Sequence, residues 1–332
     1  MSSNWYDALS AARGAAPGCS ARDAVLHVGK LTLYRYRPLA AAAPVPPLLI
    51  VYALVNRPTM MDLQPDRSLI RGLLSAGLDV YLVDWGYPDG ADRYLGLEDY
   101  IEDRLDRCVG HVLEAHRLEA LSLLGVCQGG VLALSYAALH PERVRNLITM
   151  VTPVDFHTPR DLLSKWVRHI DVAAWAGGGN VSGESLNQLF LSLMPFRLTQ
   201  QKYVELLSSP PDAARAENFM RLEQWIFDSP DQAGRAFTEF VVGCYQQNRL
   251  MRNELEIGGR RVDLKRLMQP ILNIFGSRDH LVPPEASVAL GRLVGSTDYS
   301  ERELDLGHIG MYVSARAQRE VPSAIAAWLA TR

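Results

Sequence analysis

Residues Gly125–Gly129 place a cysteine at the centre of a pentapeptide whose spacing suits nucleophilic catalysis. They read Gly-Val-Cys-Gln-Gly, which is the pattern G-x-S-x-G with Cys127 in the place of serine. A thiol in this position can attack an acyl carbon and form a covalent intermediate. The alternative is a buried structural cysteine between two glycines, because five-residue patterns of this kind also occur by chance.

The residues on either side favour the catalytic interpretation. The apolar run Leu121–Val126 precedes the cysteine and an Ala/Leu-rich helical pattern follows it, which gives the strand–turn–helix setting that the motif requires. Glycines at such a turn prevent collisions with the neighbouring strand and helix. The N-terminus of the helix favours a thiolate. The backbone N–H of Gln128 is then placed to stabilise an oxyanion.

Two later segments supply an acid and a histidine in the chain order nucleophile, acid, histidine. Asp279 follows the apolar run 271–275, so we expect it at the carboxyl edge of a parallel sheet. His308 lies in a glycine-flanked loop after the strand-like Tyr299–Leu304. We predict that His308 takes the thiol proton as a general base and that Asp279 orients its imidazole. His280 is the main rival base, and we expect it to point away from the nucleophile.

A second oxyanion donor is expected in the loop that follows an early strand. Here that loop contains Val55, Asn56, Arg57 and Pro58, and the backbone N–H of Val55 or Asn56 is the candidate donor. A turn initiated by Asn and Pro explains the same residues equally well.

The composition excludes several classes of protein. The chain has 332 residues, 48% hydrophobic and 21% charged, with a formal net charge of −3. This balance supports a large core and argues against a nucleic-acid-binding or disordered protein. The first twelve residues lack the basic start and apolar run of a signal peptide, and no run approaches the roughly 18 apolar residues of a membrane span. We therefore expect a soluble cytoplasmic protein without a membrane span.

The four cysteines are expected to be free thiols, because no secretory signal is recognised. None forms a C-x-x-C pair or has a histidine at zinc-ligand spacing, so we expect neither a metal nor a cofactor. Cys108 and Cys244 fall within helical patterns and are predicted to pack in the interior. Cys19 lies in an Ala/Gly/Ser-rich stretch and is expected to be exposed.

Short apolar runs alternate with helical patterns along much of the chain. Such runs are typical of strands buried on both faces of a parallel sheet, and their alternation with helices indicates βαβ units. We therefore predict an α/β fold of the α/β-hydrolase type, with a mostly parallel, doubly wound sheet. The apolar runs are 48–55, 78–83, 121–126, 147–151 and 271–275, and the helical patterns between them are 66–75, 97–116 and 129–139.

The alternation stops after Val154. Residues 155–267 have mostly helical patterns and are too many for a plain loop, so we predict a helical cap inserted into a core of residues 25–154 and 268–332. Residues 1–24 are predicted to be a flexible N-terminal segment. The predicted cap helices are 160–174, 184–193, 200–207, 213–227 and 232–247, and a closing helix is predicted at 321–330.

Several segments together resemble the polyhydroxyalkanoate synthases, and among them the short catalytic subunit of the two-subunit class III enzymes. The likeness extends from about residue 25 to the C-terminus and is far more specific than a lipase-type motif alone. Residues 1–22 show no clear match, and Leu306 stands where a small residue is expected. The matching segments are 49–58 (LIVYALVNRP), 79–88 (DVYLVDWGYP), 125–130 (GVCQGG), 151–156 (VTPVDF), 225–234 (WIFDSPDQAG), 272–284 and 307–314 (GHIGMYVS).

The resemblance implies an acyltransferase that polymerises (R)-3-hydroxyacyl-CoA thioesters, chiefly 3-hydroxybutyryl-CoA, to a polyester and releases CoA. By position, Cys127 resembles the family nucleophile, His308 its base and Asp279 its acid, which is also proposed to help activate the incoming 3-hydroxyl group. The resemblance further implies a noncatalytic second subunit, dimerisation and a place on polymer granules in the cytoplasm. A thiol suits this chemistry, because exchange between two thioesters is nearly balanced in energy.

Two other functions are compatible with the same motifs. A Cys-dependent thioesterase or other hydrolase on this fold would use the same three residues, because these motifs do not separate transfer from hydrolysis. A noncatalytic binding or granule-coating protein would not need them. Chain growth requires that water be kept out of the site, and the predicted cap at residues 155–267 could serve that purpose.

Overall fold

A central sheet of eight strands organises the protein, whose computed structural model describes residues 18–193, 204 and 213–332. The described residues contain twelve strands, eight in this sheet and four in two short hairpins. In chain order they are β1 (Arg22–Val28), β2 (Leu31–Tyr36), β3 (Leu48–Val51), β4 (Asp62–Gln64), β5 (Arg67–Ser68), β6 (Val80–Asp84), β7 (Leu121–Val126), β8 (Val144–Met150), β9 (Glu256–Ile257), β10 (Arg260–Arg261), β11 (Ile271–Gly276) and β12 (Tyr299–Leu304).

The order of strands in the main sheet is β1-β2-β6-β3-β7-β8-β11-β12. Strands β1 and β2 pair antiparallel with each other, and β2 pairs antiparallel with β6. All the pairs from β6 to β12 are parallel. The predicted α/β fold with a mostly parallel sheet is therefore confirmed. Two short hairpins, β4–β5 and β9–β10, lie outside the sheet.

The strands bury both of their faces in two separate apolar layers. In β3, Leu49 and Val51 belong to one cluster of buried side chains, while Leu48 and Ile50 belong to the other. All four side chains are fully buried. Because successive side chains of a strand point to opposite faces, a strand covered on both sides needs apolar residues at every position. This is why the sequence shows uninterrupted apolar runs.

Helices cover both faces of the sheet, and α3 is buried along its whole length. Within residues 18–193 and 213–332 no helix has the length and apolarity needed to cross a bilayer. The α-helices are α1 (Leu69–Ser75), α2 (Asp106–His116), α3 (Gln128–Leu139), α4 (Leu162–Val167), α5 (Val172–Ala176), α6 (Gly183–Ser192), α7 (Ala213–Phe227), α8 (Gly234–Phe240), α9 (Pro284–Val288), α10 (Gly310–Val313) and α11 (Ala315–Leu329). π-Helical turns precede α2 (Asp99–Leu105) and continue α8 (Val241–Gln246), and 3₁₀ turns lie at Pro58–Met61, Gly90–Tyr94, Pro141–Arg143, Leu264–Arg266 and Ala289–Arg292.

The chain between β8 and β11 carries α4 to α8 and the π-helical turn that continues α8. We call these elements together the inserted helices. The predicted helix 160–174 is divided in two, because Asp161 caps the start of α4 and Asp171 caps the start of α5. The predicted helix 200–207 lies outside the described residues except for residue 204. The domain boundaries at residues 155 and 267 stay a prediction.

The described start of the chain is held against the β4–β5 hairpin. Residues 1–17 of the predicted N-terminal segment lie outside the described residues. Cys19 is half-buried rather than exposed, because its thiol donates a 3.0 Å hydrogen bond to the carboxylate of Asp62. The N–H and hydroxyl groups of Ser20 donate to the same carboxylate at 2.8 Å. Cys108 and Cys244 are buried, as predicted.

Candidate active site

Cys127 stands at the sharp turn between β7 and α3. Its backbone has φ 53° and ψ −124°, a conformation that is costly for any residue other than glycine. Two 2.9 Å hydrogen bonds hold this turn: the N–H of Cys127 donates to the carbonyl of Met150, and the N–H of Gly130 donates to the carbonyl of Cys127. The half-buried thiol therefore lies at the N-terminus of α3, where the helix dipole favours a negative charge.

Close packing requires glycine at three positions around this turn. A Cβ atom on Gly125 would collide with the backbone of Gly130, and one on Gly129 would collide with the carbonyl of Val51. A Cβ atom on Gly130 would collide with the side chain of Thr152. The strand, the turn and the helix approach one another so closely that only hydrogen fits at each of these positions. Gly130 is the position that the five-residue pattern does not include.

Asp279 and His308 form a buried pair next to the turn. Oδ2 of Asp279 lies 2.6 Å from Nδ1 of His308. Oδ1 of the same carboxylate accepts the backbone N–H groups of Leu281 and Val282, each at 2.9 Å. His308 also lies close enough to Cys127 for the charge of the sulfur to raise the pKa of the imidazole. Because Asp279 occupies Nδ1, Nε2 is the ring nitrogen left for the thiol. The structure thus brings together the three side chains that the sequence singled out.

The surroundings of His308 favour its protonated form. Burial lowers the pKa of the imidazole, but the charges of Asp279 and Cys127 and the hydrogen bond with Asp279 outweigh that effect. The resulting pKa is raised to about 10. Imidazolium is the form in which the ring has already taken a proton from the thiol. The pair is therefore suited to hold that proton while the sulfur acts as a nucleophile.

The acid loop and the histidine loop are joined through Leu306. Its carbonyl accepts the N–H of Arg278 at 3.1 Å, and its side chain packs against the apolar layer that contains Cys127. This contact explains how a large residue is accommodated where a small one was expected. The rival histidine, His280, is half-buried beside Asp279, whose two oxygens accept from Leu281, Val282 and His308.

Three tyrosines near the thiol were not identified from the sequence. Tyr52 follows β3 and Tyr312 lies in α10, and their rings pack edge to face at 6.3 Å. Tyr245 lies in the π-helical turn after α8 and so comes from the inserted helices. Burial raises the pKa of all three hydroxyls, and the charge of Cys127 raises it further. Three neutral tyrosines thus lie within electrostatic range of the nucleophile, which the spacing of the motifs does not reveal.

The predicted oxyanion donors lie on two elements that meet at the nucleophile. Gln128 is the first residue of α3, directly after Cys127. Val55 lies in the loop after β3, and it packs at the edge of the same apolar layer as Cys127. Within the described part of the chain the backbone N–H of Val55 donates no hydrogen bond. Both backbone groups are therefore candidates to bind a developing negative charge.

Within the described residues, neither a metal site nor an open surface cavity includes a residue of this candidate active site. Among the described residues no group of three or more His, Cys, Asp or Glu side chains is placed to hold a metal. An open cavity of about 850 Å³ is lined by residues that include His157, Glu285 and Arg292, and none of the predicted site residues line it.

Known proteins that resemble this chain share its fold, and the relatives with high sequence identity share one name. The chain matches the α/β hydrolase fold family over residues 46–315. It is 56% identical over 319 residues to the poly(3-hydroxyalkanoate) polymerase subunit PhaC of Allochromatium vinosum, a match that covers 95% of this chain and 90% of that protein. It is 52% identical to the protein of that name from Thiocystis violacea, with 95% and 89% covered. Among solved structures it resembles a monoacylglycerol lipase of Paleococcus ferrophilus, with a TM-score of 0.55, 19% identity and 90% and 98% covered, which shows the fold alone.

Proposed function

Because the chain belongs to the poly(3-hydroxyalkanoate) polymerase subunit PhaC family, we propose that it polymerises (R)-3-hydroxyacyl-CoA thioesters, chiefly 3-hydroxybutyryl-CoA, through a covalent intermediate on Cys127. The observation that carries this proposal is the 2.6 Å pair of Asp279 and His308, which lies close enough to Cys127 for the charge of the sulfur to raise the pKa of the imidazole. It supports the assignment of Cys127 as nucleophile, His308 as base and Asp279 as the acid that orients it.

In the first step the sulfur of Cys127 attacks the thioester carbonyl carbon, and His308 holds the thiol proton. The carbonyl oxygen becomes an oxyanion, which the backbone N–H groups of Gln128 and Val55 stabilise. When the tetrahedral intermediate collapses, the bond from carbon to the CoA sulfur breaks. The CoA thiolate takes the proton from His308 and leaves as free thiol, so that one thioester replaces another.

In the second step a 3-hydroxyl group attacks the acyl group on Cys127. His308 takes the hydroxyl proton, and Asp279 stabilises the imidazolium that forms and helps to activate the hydroxyl. The new ester bond forms as the bond from carbon to sulfur of Cys127 breaks, and the thiolate recovers the proton. A thioester suits this transfer because it is more reactive than the oxoester that a serine would form.

Chain growth also requires that water does not compete with the hydroxyl. We place this role on the inserted helices, which correspond to the predicted cap at residues 155–267. Tyr245 supports this assignment, because it brings a buried aromatic ring from these helices close enough for the charge of Cys127 to raise the pKa of its hydroxyl. Displacing the inserted helices should raise CoA release without polymer.

The assembly of the protein is a further part of the proposal. The relatives are named as subunits, which supports a noncatalytic second subunit of the class III type. We also propose a homodimer that works in the cytoplasm at the surface of polymer granules. The described part of the chain contains no helix that could anchor it in a bilayer.

The deciding experiment follows CoA release from 3-hydroxybutyryl-CoA together with polymer turbidity, with and without a candidate second subunit. We expect CoA release matched by insoluble polymer, and loss of both in Cys127→Ala. Cys19→Ser is the matched control, since serine can still donate to Asp62, and it should leave both signals unchanged. CoA release with free 3-hydroxybutyrate and no polymer would identify a Cys-dependent thioesterase instead.

A further inference from the structure

The loop after β3 leaves the sheet and is held by side chains from three different elements. The indole N–H of Trp85, which follows β6, donates to the carbonyl of Tyr52 at 2.9 Å. The indole N–H of Trp225, on α7, donates to the carbonyl of Arg57 at 2.7 Å. Between these two points the loop carries the N–H of Val55, the proposed second oxyanion donor.

The third contact comes from the residue that follows the nucleophile. The side-chain oxygen of Gln128 accepts the backbone N–H of Leu54 at 2.9 Å, and both residues are buried, with 8% and 7% of their surface exposed. A buried backbone N–H needs such a partner, because water cannot replace it there. Leu54 is the direct neighbour of Val55, so this bond sets the position of the peptide group that bears the second donor.

We propose that Gln128 is a positioning residue. Its side chain holds the loop after β3 against the start of α3, so that the backbone N–H groups of Gln128 and Val55 point at the same oxyanion. One residue thereby supplies one donor from its backbone and fixes the other through its side chain. This inference rests on the proposed function, because it assumes that an oxyanion forms at the acyl carbon bound by Cys127.

The proposal predicts a specific separation of two reactions of the same thiol. Acylation by a thioester passes through an oxyanion, whereas alkylation by iodoacetamide does not. A misplaced donor should therefore slow acylation and leave alkylation unchanged. Alkylation can be followed at Cys127 alone by mass spectrometry of its peptide, since Cys108 and Cys244 are buried. Burial and the Asp62 carboxylate also raise the pKa of Cys19 to about 12.

The test uses Gln128→Met, which keeps the length of the side chain and removes the acceptor. We expect kcat for CoA release to fall about 10- to 100-fold, which is at most the fall expected when a whole oxyanion donor is removed. KM and the alkylation rate should stay within about twofold of wild type. Gln188→Met, the same change at an exposed position of α6, should leave all three quantities unchanged. An unchanged kcat in Gln128→Met, or an alkylation rate that falls with it, would overturn the proposal.

Gln128→Glu covers the case in which the methionine variant does not fold. Glutamate keeps an acceptor oxygen of the same reach, so CoA release should stay within about tenfold of wild type. A loss as large as that from removing a whole donor, about 100-fold or more, would contradict the positioning role. The wild-type protein and Cys127→Ala are assayed beside these variants. If wild-type CoA release did not depend on Cys127, the proposed function would fail first; if it did, the Gln128 variants decide on this inference alone.

Discussion

Oδ2 of Asp279 faces Nδ1 of His308 at 2.6 Å, while Oδ1 is occupied by two backbone N–H groups. The two oxygens thus have different partners. Replacing the carboxylate of Asp279 by an amide should therefore change which nitrogen of His308 carries the proton. In Asp279→Asn the amide oxygen would keep the backbone bonds and its NH₂ group would face His308. Nδ1 would then accept and Nε2 would carry the proton, so the ring could not take one from Cys127. We expect kcat for CoA release to fall by about 10⁴-fold.

The control for this amide substitution is Asp305→Asn. Asp305 lies in the loop before His308, but its carboxylate is exposed and pairs with Arg278 at 2.7 Å. An exposed ion pair of this kind contributes little. CoA release should therefore remain at the wild-type level. A comparable loss in both variants would show that the effect comes from the charge of the loop and not from the tautomer of His308.

The raised pKa of His308 predicts how stability depends on pH. The pKa is about 10 in the folded protein and about 6.5 in an unfolded chain, so the folded state binds the proton more tightly. The stability that results is fully present below about pH 6.5 and is lost as pH rises through 10. The free energy of unfolding of wild type, measured in urea relative to His308→Gln, should therefore decrease across this interval by at most about 1.4 kcal/mol per pH unit.

A constant difference between these two proteins from pH 6 to pH 10 would contradict this prediction. A difference that grows with pH would mean that the folded protein prefers neutral imidazole. Measuring the same pair at pH 5 and pH 6 supplies the internal control, because both folded and unfolded histidine are then mostly protonated and the difference should be flat.

Much of the fold could be predicted because buried parallel strands leave a direct signal in the sequence. The run 121–126 coincides with β7, since both faces of that strand are covered. The run 48–55 predicted a longer strand than β3, which ends at Val51. The residues after it are equally apolar, but Trp85 and Gln128 take the carbonyl of Tyr52 and the N–H of Leu54 out of the sheet. Such contacts come from distant parts of the chain and have no local pattern.

The residues of the site also differ in whether they could be predicted from the sequence. Cys127, Asp279 and His308 could be singled out because each follows a strand, and strand ends meet at one edge of a parallel sheet. The resemblance to the polyhydroxyalkanoate synthases is confirmed by the relatives that share 52% and 56% of their residues with this chain. The ring of Tyr245 near the thiol could not be predicted, because the packing of the inserted helices brings it there and no motif marks it.

Gly130 offers a test of the close packing behind the nucleophile. A methyl group there would collide with Thr152, so Gly130→Ala should lower the free energy of unfolding by about 1–3 kcal/mol. Thr152→Ala removes two of the colliding atoms, Oγ1 and Cγ2, and keeps Cβ, so the double variant should recover part of that loss. Gly90→Ala is the control, because nothing lies near its added methyl group. Urea unfolding of wild type and the four variants checks this, and a double variant no more stable than Gly130→Ala would refute the proposed collision.

The contact between Trp225 and Arg57 predicts how the inserted helices affect the fate of the acyl group. The indole N–H joins α7 to the loop of the proposed second donor, and Arg57 is itself paired with the buried Asp84 at 2.7 Å. Trp225→Phe keeps most of the apolar packing and removes the indole N–H that donates to Arg57. Because α7 would then be held less firmly, water should reach the acyl-enzyme more often. We expect the ratio of free 3-hydroxybutyrate to polymer to rise several-fold at equal CoA release.

Phe227→Leu, two residues further along and 66% exposed, should leave that ratio unchanged. A ratio equal to wild type in Trp225→Phe would mean that this bond has no part in keeping water from the site.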